Sequence, residues 1–374
     1  MAPSLYIHIP FCEKKCLYCD FYSLASQEKL AADYVRVLIK QIRRIDAPVS
    51  SIYIGGGTPS VLGINLLGQL LKSLKKIITP GIEFTIEVNP ESFSKKSAEL
   101  FLENGVNRLS IGLQSFDDQK LRKLGRIHDC RKAQEAVDLA QKSGFKNISI
   151  DLIFGVWDEK FPDWKNELQK AVSLPVKHIS VYSLTYEKST PLSKMLKNGL
   201  IKPLEDEAVA GMYEYAVDFL EGRGFKRYEV SNFARDGYIC RHNCGYWQNE
   251  SYAGIGPSAV SYLDGVRKKN IPDVKEYIAR IKKGSSVIKS QEKLSVVQKA
   301  KETAALKIRT KEGISLEWFK EKTGFDFLRL EKSSITGLRE KELIDYEKKD
   351  GKIKRVSLTK KGFLFCDIVS SELL

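Results

Sequence analysis

No window of the chain approaches the roughly 20 consecutive apolar residues that a bilayer crossing requires. Met1 to His8 also lacks a basic region leading into a long apolar run, so no secretory leader or membrane span is predicted and a cytosolic setting is expected. Cysteine is scarce. Seven among 374 residues are too few to staple a chain of this size by disulfides, and three of them fall within eight residues near the start, which points to metal chemistry instead. Cys130 and Cys366 lie among apolar or helical residues and read as core or surface thiols. Internal repeats and low-complexity tracts are likewise lacking.

What is present is a folded, basic chain. At 374 residues and 43% hydrophobic composition it can bury a large core and divide into two or more domains, because single cores rarely grow past about 300 residues. The formal net charge is +14, and from Gly265 to Leu374 there are 27 Lys and Arg against 16 Asp and Glu. A basic tail of this kind can attract phosphate backbones, anionic lipid or an acidic partner, or simply be a well-solvated surface. The helices there show no clear basic recognition face, so nucleic acid is not expected as a partner.

Short β-branched runs at Leu5–Ile9, Ser51–Ile54, Glu83–Val88, Arg108–Gly112, Ile148–Ile153 and His178–Leu184 alternate with amphipathic segments long enough for crossover helices. Such alternation predicts an α/β architecture of parallel βαβ units, either a doubly wound sheet or a partial TIM-type barrel. In both, functional groups gather at the carboxyl ends of the strands. Residues 204–222 read as helix, and Tyr228 to Tyr262 as a long irregular stretch of the kind that builds a site or interface. A lysine-rich linker is expected after Lys269. Three helices (299–308, 316–322 and 328–341) and a hairpin around Asp350-Gly351 then predict a winged-helix-like end. The expected domains are 1–200, 201–290 and 291–374.

The central motif is Cys12-Glu-Lys-Lys-Cys16-Leu-Tyr-Cys19, directly after the first predicted strand. Three thiolates on a tight loop can reach three corners of a cubic iron–sulfur cluster, which wants four ligands, so one iron is left for a ligand from outside the protein. The alternative is tetrahedral zinc with His8 or His242 as fourth ligand, although structural zinc sites favour paired CxxC spacings. S-adenosylmethionine (SAM) is the natural occupant of an open iron, bound through its amino and carboxylate groups. The rest of the chain should then supply a backbone platform, polar groups and a dry cavity at the strand ends. Gly55-Gly56-Gly57-Thr58-Pro59 follows the second strand and reads either as that platform or as a plain turn. Glu87, Gln114 and Asp151 end the third, fourth and fifth strands, with Arg126 downstream; singly each could be a surface ion pair, but together they converge on one face.

With these residues in view, the chain resembles, over essentially its full length, the radical-SAM relatives of oxygen-independent coproporphyrinogen oxidase, and among them the haem-chaperone branch. The stretches that carry the likeness are Tyr6-Ile-His-Ile-Pro-Phe-Cys12, Gly55 to Ser60, Glu87-Val-Asn-Pro-Glu91, Ser110 to Phe116, Gly125-Arg126-Ile-His128, Ile150 to Gly155 and Leu184-Thr-Tyr-Glu187. The resemblance implies a radical-SAM (β/α)6 partial barrel with a C-terminal winged-helix-like domain, and a [4Fe-4S] cluster held by Cys12, Cys16 and Cys19. It further implies SAM contacts from Tyr6, Tyr18, Gly56, Gly57 and Thr58, and from Glu87, Gln114, Arg126, Asp151 and Thr185.

Two features separate chaperone from oxidase. The oxidases carry a fourth cysteine two positions after the third, where this chain has Phe21, and they have a long N-terminal extension where only eleven residues precede Cys12. Positive support comes from His242-Asn243-Cys244-Gly245-Tyr246-Trp247, which matches the HNxxYW motif associated with haem in the chaperone branch. An imidazole can ligate haem iron while Tyr246 and Trp247 pack the macrocycle and Arg241 meets a propionate; the bland alternative is a satisfied histidine among core aromatics. The resemblance thus implies a protein that binds haem, takes an electron from a reducing protein and passes haem to an acceptor protein. Oxidative decarboxylation in porphyrin biosynthesis, by a coproporphyrinogen III oxidase, is the alternative. One departure lies after Gly155, where Val156-Trp157-Asp158-Glu159-Lys160 replaces the family's Leu-Pro-Gly type of turn beside the expected SAM pocket.

Overall fold

Six strands lie side by side in parallel: β1 (Ser4–Ile9), β2 (Ser51–Gly56), β3 (Glu83–Val88), β4 (Arg108–Gln114), β5 (Asn147–Phe154) and β6 (His178–Ser183). The computed structural model describes residues 2–374. The first five strands are each followed by a helix on the outside, the fourth by two: α1 (Glu28–Ile42), α2 (Gly63–Leu74), α3 (Lys95–Glu103), α4 (Asp118–Leu124), α5 (Cys130–Ser143) and α6 (Phe161–Ser173). This is the expected partial barrel. α5 illustrates the local logic. Asp129 caps it by accepting from Lys132 N at 2.7 Å, Gly144 ends it in a left-handed conformation, and Ala133, Ala136, Val137 and Ala140 repeat at helical spacing on the buried face. Such a cap is worth about 1 kcal/mol, and small residues let the helix sit close to the sheet.

The strands are two-faced. On β4, Leu109, Ile111 and Leu113 are fully buried in the core shared with the helices, while Arg108, Ser110, Gly112 and Gln114 alternate with them and line the barrel's interior. The same period of two turns Glu87 of β3, Asp151 of β5 and Ser180 and Tyr182 of β6 inward. The lumen is therefore polar, inside an apolar shell.

Beyond the barrel the sheet continues, which the sequence reading did not expect. α7 (Pro191–Lys197) and α8 (Asp206–Gly222) follow β6, and then β7 (Asn232–Ala234) pairs antiparallel with it. After α9 (Arg241–Trp247), β8 (Tyr252–Ile255) returns to pair in parallel with β1, from Ser4↔Tyr252 to Ile7↔Ile255. β9 (Val260–Leu263), β10 (Val266–Asn270) and β11 (Ile288–Lys293) then extend that edge, with α10 (Val274–Lys283) packed on α1 through Tyr277 and Tyr34. Tyr228 to Tyr262 is thus a helix and strands rather than irregular chain, and the expected lysine-rich linker is β10, α10 and β11.

The C-terminal part comprises α11 (Val296–Lys307), β12 (Ile314–Ser315), α12 (Leu316–Thr323), α13 (Phe327–Leu330), α14 (Lys332–Glu340) and a hairpin of β13 (Ile344–Lys349) with β14 (Lys352–Leu358). Its three strands lie in the order β12-β14-β13. The hairpin turns at Asp350-Gly351, both with positive φ (51° and 71°), as a two-residue turn of that composition requires. This part packs on the barrel through Asn249 Nδ2, which donates to Thr303 Oγ1 at 3.0 Å, and through Arg227, whose guanidinium lies 3.7 Å from the Phe363 ring centroid.

Candidate cluster and cofactor site

The cysteine loop leaves β1 through a short pairing of Phe11–Cys12 with Leu24–Ala25 and is held from several sides. Leu17 N donates to Leu124 O at 3.1 Å, Leu192 N donates to Leu17 O at 3.0 Å, and Thr58 N donates to Phe11 O at 2.7 Å. Cys12, Cys16 and Cys19 all border one cavity of about 620 Å³ at the carboxyl ends of the strands. Thr58 Oγ1 lies 3.7 Å from Cys12 Sγ, and Arg126 Nη1 donates to Cys16 Sγ at 3.4 Å. Burial raises the Cys12 thiol and pushes Cys19 up to about 11. These thiols need a positively charged core to become thiolate ligands.

The donor set fits a cluster better than one zinc ion. Thiolates on a single tetrahedral zinc stand roughly 3.8 Å apart, given Zn–S bonds near 2.3 Å; among the described residues no three ligand-type side chains converge to hold one ion. Neither proposed fourth ligand is free. Both nitrogens of the buried His8 are engaged, by Tyr6 OH at 3.0 Å and Tyr22 O at 2.9 Å, and both nitrogens of His242 are engaged as well.

Of the ten expected SAM contacts, the structure brings nine into this cavity wall: Tyr18, Gly56, Gly57, Thr58, Glu87, Gln114, Arg126, Asp151 and Thr185. Tyr6 is the exception. It sits on β1 beside Tyr53 with its hydroxyl on His8, so it props the wall from behind. Glu87 accepts from Tyr53 OH at 2.8 Å and from Gly56 N at 3.0 Å, yet burial pushes its carboxyl up to about 7. Burial raises Asp151 too, against hydrogen bonds to Ser180 and Ser110. Gln114 has a φ of +66°, at a register shift between β4 and β5. Arg126 is fixed by donation from Nη2 to Gly112 O at 2.8 Å, with Glu91 at 3.9 Å, and Glu91 is itself held 3.0 Å from His128 Nδ1. This is a half-open site with charged and amide side chains in its wall, able to orient a charged organic ligand beside three thiols.

The glycine run turns out to be dictated by the protein itself. Gly56 has a φ of +106°, and a Cβ there would stand 2.2 Å from His8 Nδ1; at Gly57 a Cβ would meet Phe11 O at 2.5 Å. Close approach is thus first to β1 and the cysteine loop, and only then to any ligand.

The Val156 turn, despite its unusual sequence, is closed and packed. Val156 and Trp157 are buried with Leu124 and Leu192 in a small core against Leu17 and Tyr18 of the cysteine loop. Glu159 accepts from Val156 N at 3.0 Å, and Lys120, 6% exposed, lies 2.6 Å from both Glu159 and Glu167. Glu167 also accepts from Phe116 N at 2.8 Å. One buried cation therefore ties α4, α6 and the turn together beneath the cysteine loop.

His242, Tyr246 and Trp247 are not in the cavity. α9 closes the amino-terminal end of the barrel: Glu83 at the start of β3 accepts from Arg241 N and His242 N, both at 2.9 Å. His242 is 1% exposed, with Nδ1 2.8 Å from Ser51 Oγ and Nε2 3.0 Å from Tyr246 OH, and burial lowers it to about 3. Ligation of haem iron by this imidazole, as the resemblance implies, would have to break two buried hydrogen bonds. Trp247 packs under Arg309, whose guanidinium lies 5.4 Å from the ring centroid, and Arg241 donates to Gly81 O at 2.7 Å rather than facing a ligand. Only Asn243 of the motif reaches the cavity.

The sequence reading missed Tyr53, Asn89, Arg108, Ser110, Ser180 and Tyr182, which line the same space. A signal existed: a polar residue at every second position of otherwise β-branched strands.

Comparison with known proteins places this geometry. The Radical SAM superfamily profile matches residues 6–169. "Heme chaperone HemW" of Lactococcus lactis is 34% identical over 96% of this chain and 94% of its own length. The protein of the same name in Bacillus subtilis is 36% identical over 91% and 92%. Zebrafish "Radical S-adenosyl methionine domain-containing protein 1, mitochondrial" is 33% identical over 83% and 74%. Among solved structures, coproporphyrinogen III oxidase (HemN) from Escherichia coli superposes with a TM-score of 0.85 over 100% of this chain and 90% of that one, at 21% identity, which speaks to the fold.

Proposed function

Because the chain belongs to the HemW family of radical SAM proteins, we propose that it is a haem chaperone that carries a [4Fe-4S] cluster, binds SAM and haem, and hands haem to an acceptor protein. The observation that carries this reading is that Cys12, Cys16 and Cys19 all border one cavity together with nine of the ten residues expected to contact SAM. Cys12, Cys16 and Cys19 would hold the cluster, which supplies a low-potential electron when reduced by a partner protein. Arg126, hydrogen-bonded at Cys16, and the polar set of Glu87, Gln114, Asp151 and Thr185 would orient SAM in the cavity. Tyr18 and the Thr58 hydroxyl would close the space around the thiols and limit water.

Phe21 supports the chaperone over the oxidase. It occupies the position of the oxidases' fourth cysteine and stands 66% exposed at the cavity rim, an aromatic surface suited to a flat apolar ligand or partner. In this reading the HNxxYW helix serves haem through the floor it builds under the lumen rather than through His242 as ligand. The test is anaerobic reconstitution followed by iron, sulfide and haem quantification on one sample. Wild type should take up about four irons per chain, Cys16→Ala should lose most of them, and haem should give a saturable Soret change. A wild type with one zinc, or with no Soret saturation, would refute the proposal. Release of protoporphyrinogen in an assay with coproporphyrinogen III, reductant and SAM would establish the oxidase instead.

A further inference from the structure

We propose that the floor of the barrel lumen is a carboxylate-binding subsite in which Arg108, assisted by Asn243 of α9, grips the carboxylate of an organic ligand lying deeper than SAM. Arg108 is 2% exposed at the start of β4, and its Nε is buried with no hydrogen-bond partner. Among the described residues its guanidinium makes no hydrogen bond and no ion pair. Against the cost of burial, Glu83 and its neighbours favour the charge at longer range, but the unmatched Nε–H is a deficit that an arriving acceptor makes good. The guanidinium borders the cavity, from which such an acceptor can come.

The acceptors nearby are already in use. Glu83 receives Arg241 N and His242 N at 2.9 Å each, and the Cys240 thiol lies 3.5 Å away. Glu87 is taken by Tyr53 and Gly56, and Asp151 by Ser110 Oγ at 3.4 Å and by Ser180. Tyr228 OH lies 2.9 Å from His178 Nε2. Asn243 also reaches the cavity, and among the described residues its amide makes no hydrogen bond. α9 cannot swing away cheaply, because the Ser51–His242 contact pins it. A guanidinium fork and a free amide on the wall of one cavity of about 620 Å³ suit the planar two-oxygen geometry of a carboxylate. Two sources share that chemistry, a free small carboxylate and a haem propionate; the second rests on the haem-chaperone reading above.

The test uses reconstituted full-length wild type, Arg108→Gln and Arg108→Lys. Succinate is titrated by calorimetry; haem and its dimethyl ester, which lacks the charged carboxylates, are titrated optically. Succinate binding weakened roughly 10–100-fold in Arg108→Gln identifies a free carboxylate as occupant, the size expected for a charge-assisted hydrogen bond. Wild type preferring haem to its ester by a similar factor, with the preference gone in Arg108→Gln and ester affinity unchanged, identifies the propionate. Arg108→Lys keeps the charge without the fork and should be intermediate, which decides the matter if the Gln variant does not fold. Equal binding of both probes by wild type and a folded variant, or no discrimination by wild type against the ester together with no succinate binding, overturns the subsite. Failure of wild type to bind haem at all, with succinate still dependent on Arg108, would remove the chaperone reading and leave the subsite standing.

Discussion

Glu87→Gln should destabilise the protein in acid and stabilise it in mild base. Burial holds the Glu87 carboxyl at about 7, from an ordinary value of 4.5, although Tyr53 and Gly56 donate to it and pull the other way. A folded-state value raised for an acid means that the native protein binds the proton more tightly than the unfolded chain. Stability contributed by Glu87 is then greatest below pH 4.5 and falls as pH rises from 4.5 through 7, levelling off above. The full shift corresponds to about 3 kcal/mol. Because the carboxyl faces a cavity that water can enter, screening trims this to about 2 kcal/mol. Glutamine has no proton to lose, but its single carbonyl oxygen cannot accept from both Tyr53 and Gly56, a pH-independent loss of about 1 kcal/mol. The variant should therefore be less stable than wild type by about 1 kcal/mol at pH 4.5, cross near pH 6, and be more stable by about 1 kcal/mol at pH 8. Urea unfolding followed by circular dichroism at matched pH values measures the difference, in which other titrating groups cancel. Parallel stability profiles across this range would refute the reasoning.

Lys120→Met leaves Glu159 and Glu167 facing each other in a dry interior and should cost about 3–5 kcal/mol at neutral pH; denaturant unfolding checks it, and a loss under 1 kcal/mol would show that the cation is not holding the turn. Gly56→Ala drives a methyl group into the His8 ring at a positive φ, so iron uptake on reconstitution should fall several-fold, whereas uptake equal to wild type would mean that the glycine run is a plain turn. His242→Ala orphans the Ser51 hydroxyl at the barrel floor and should lower stability by about 2 kcal/mol while the Soret band of bound haem keeps its position; a shifted or absent band with intact stability would restore the imidazole as ligand.

The barrel was legible in the sequence because each strand's outer face is a β-branched run and each crossover helix carries an apolar stripe. Its inner face was not, since a lumen lined by Arg108, Ser110 and Asp151 contradicts the usual rule that parallel strands are apolar on both sides. The three thiols and most of the wall could be placed because loops after strands converge at one end whatever the helices do. α9 carries the right residue types for a ligand, but spacing along the chain cannot reveal that Glu83 and Ser51 draw them to the opposite end. β8 to β11 were unreadable for another reason. They are short, and β10 and β11 are rich in lysine, so propensity does not mark them; β8 is made a strand by pairing with distant β1, and β9 to β11 by pairing with one another.

One pairing has a bearing on synthesis. β1, which delivers the cysteine loop, is flanked on one side by β2 and on the other by β8, whose residues are translated some 240 positions after Cys12. At about 5–20 residues per second, the ribosome leaves that flank bare for roughly 12–50 seconds. During this interval the strand that delivers the three thiols has only β2 beside it, and the sheet around it is completed only when Tyr252–Ile255 arrives.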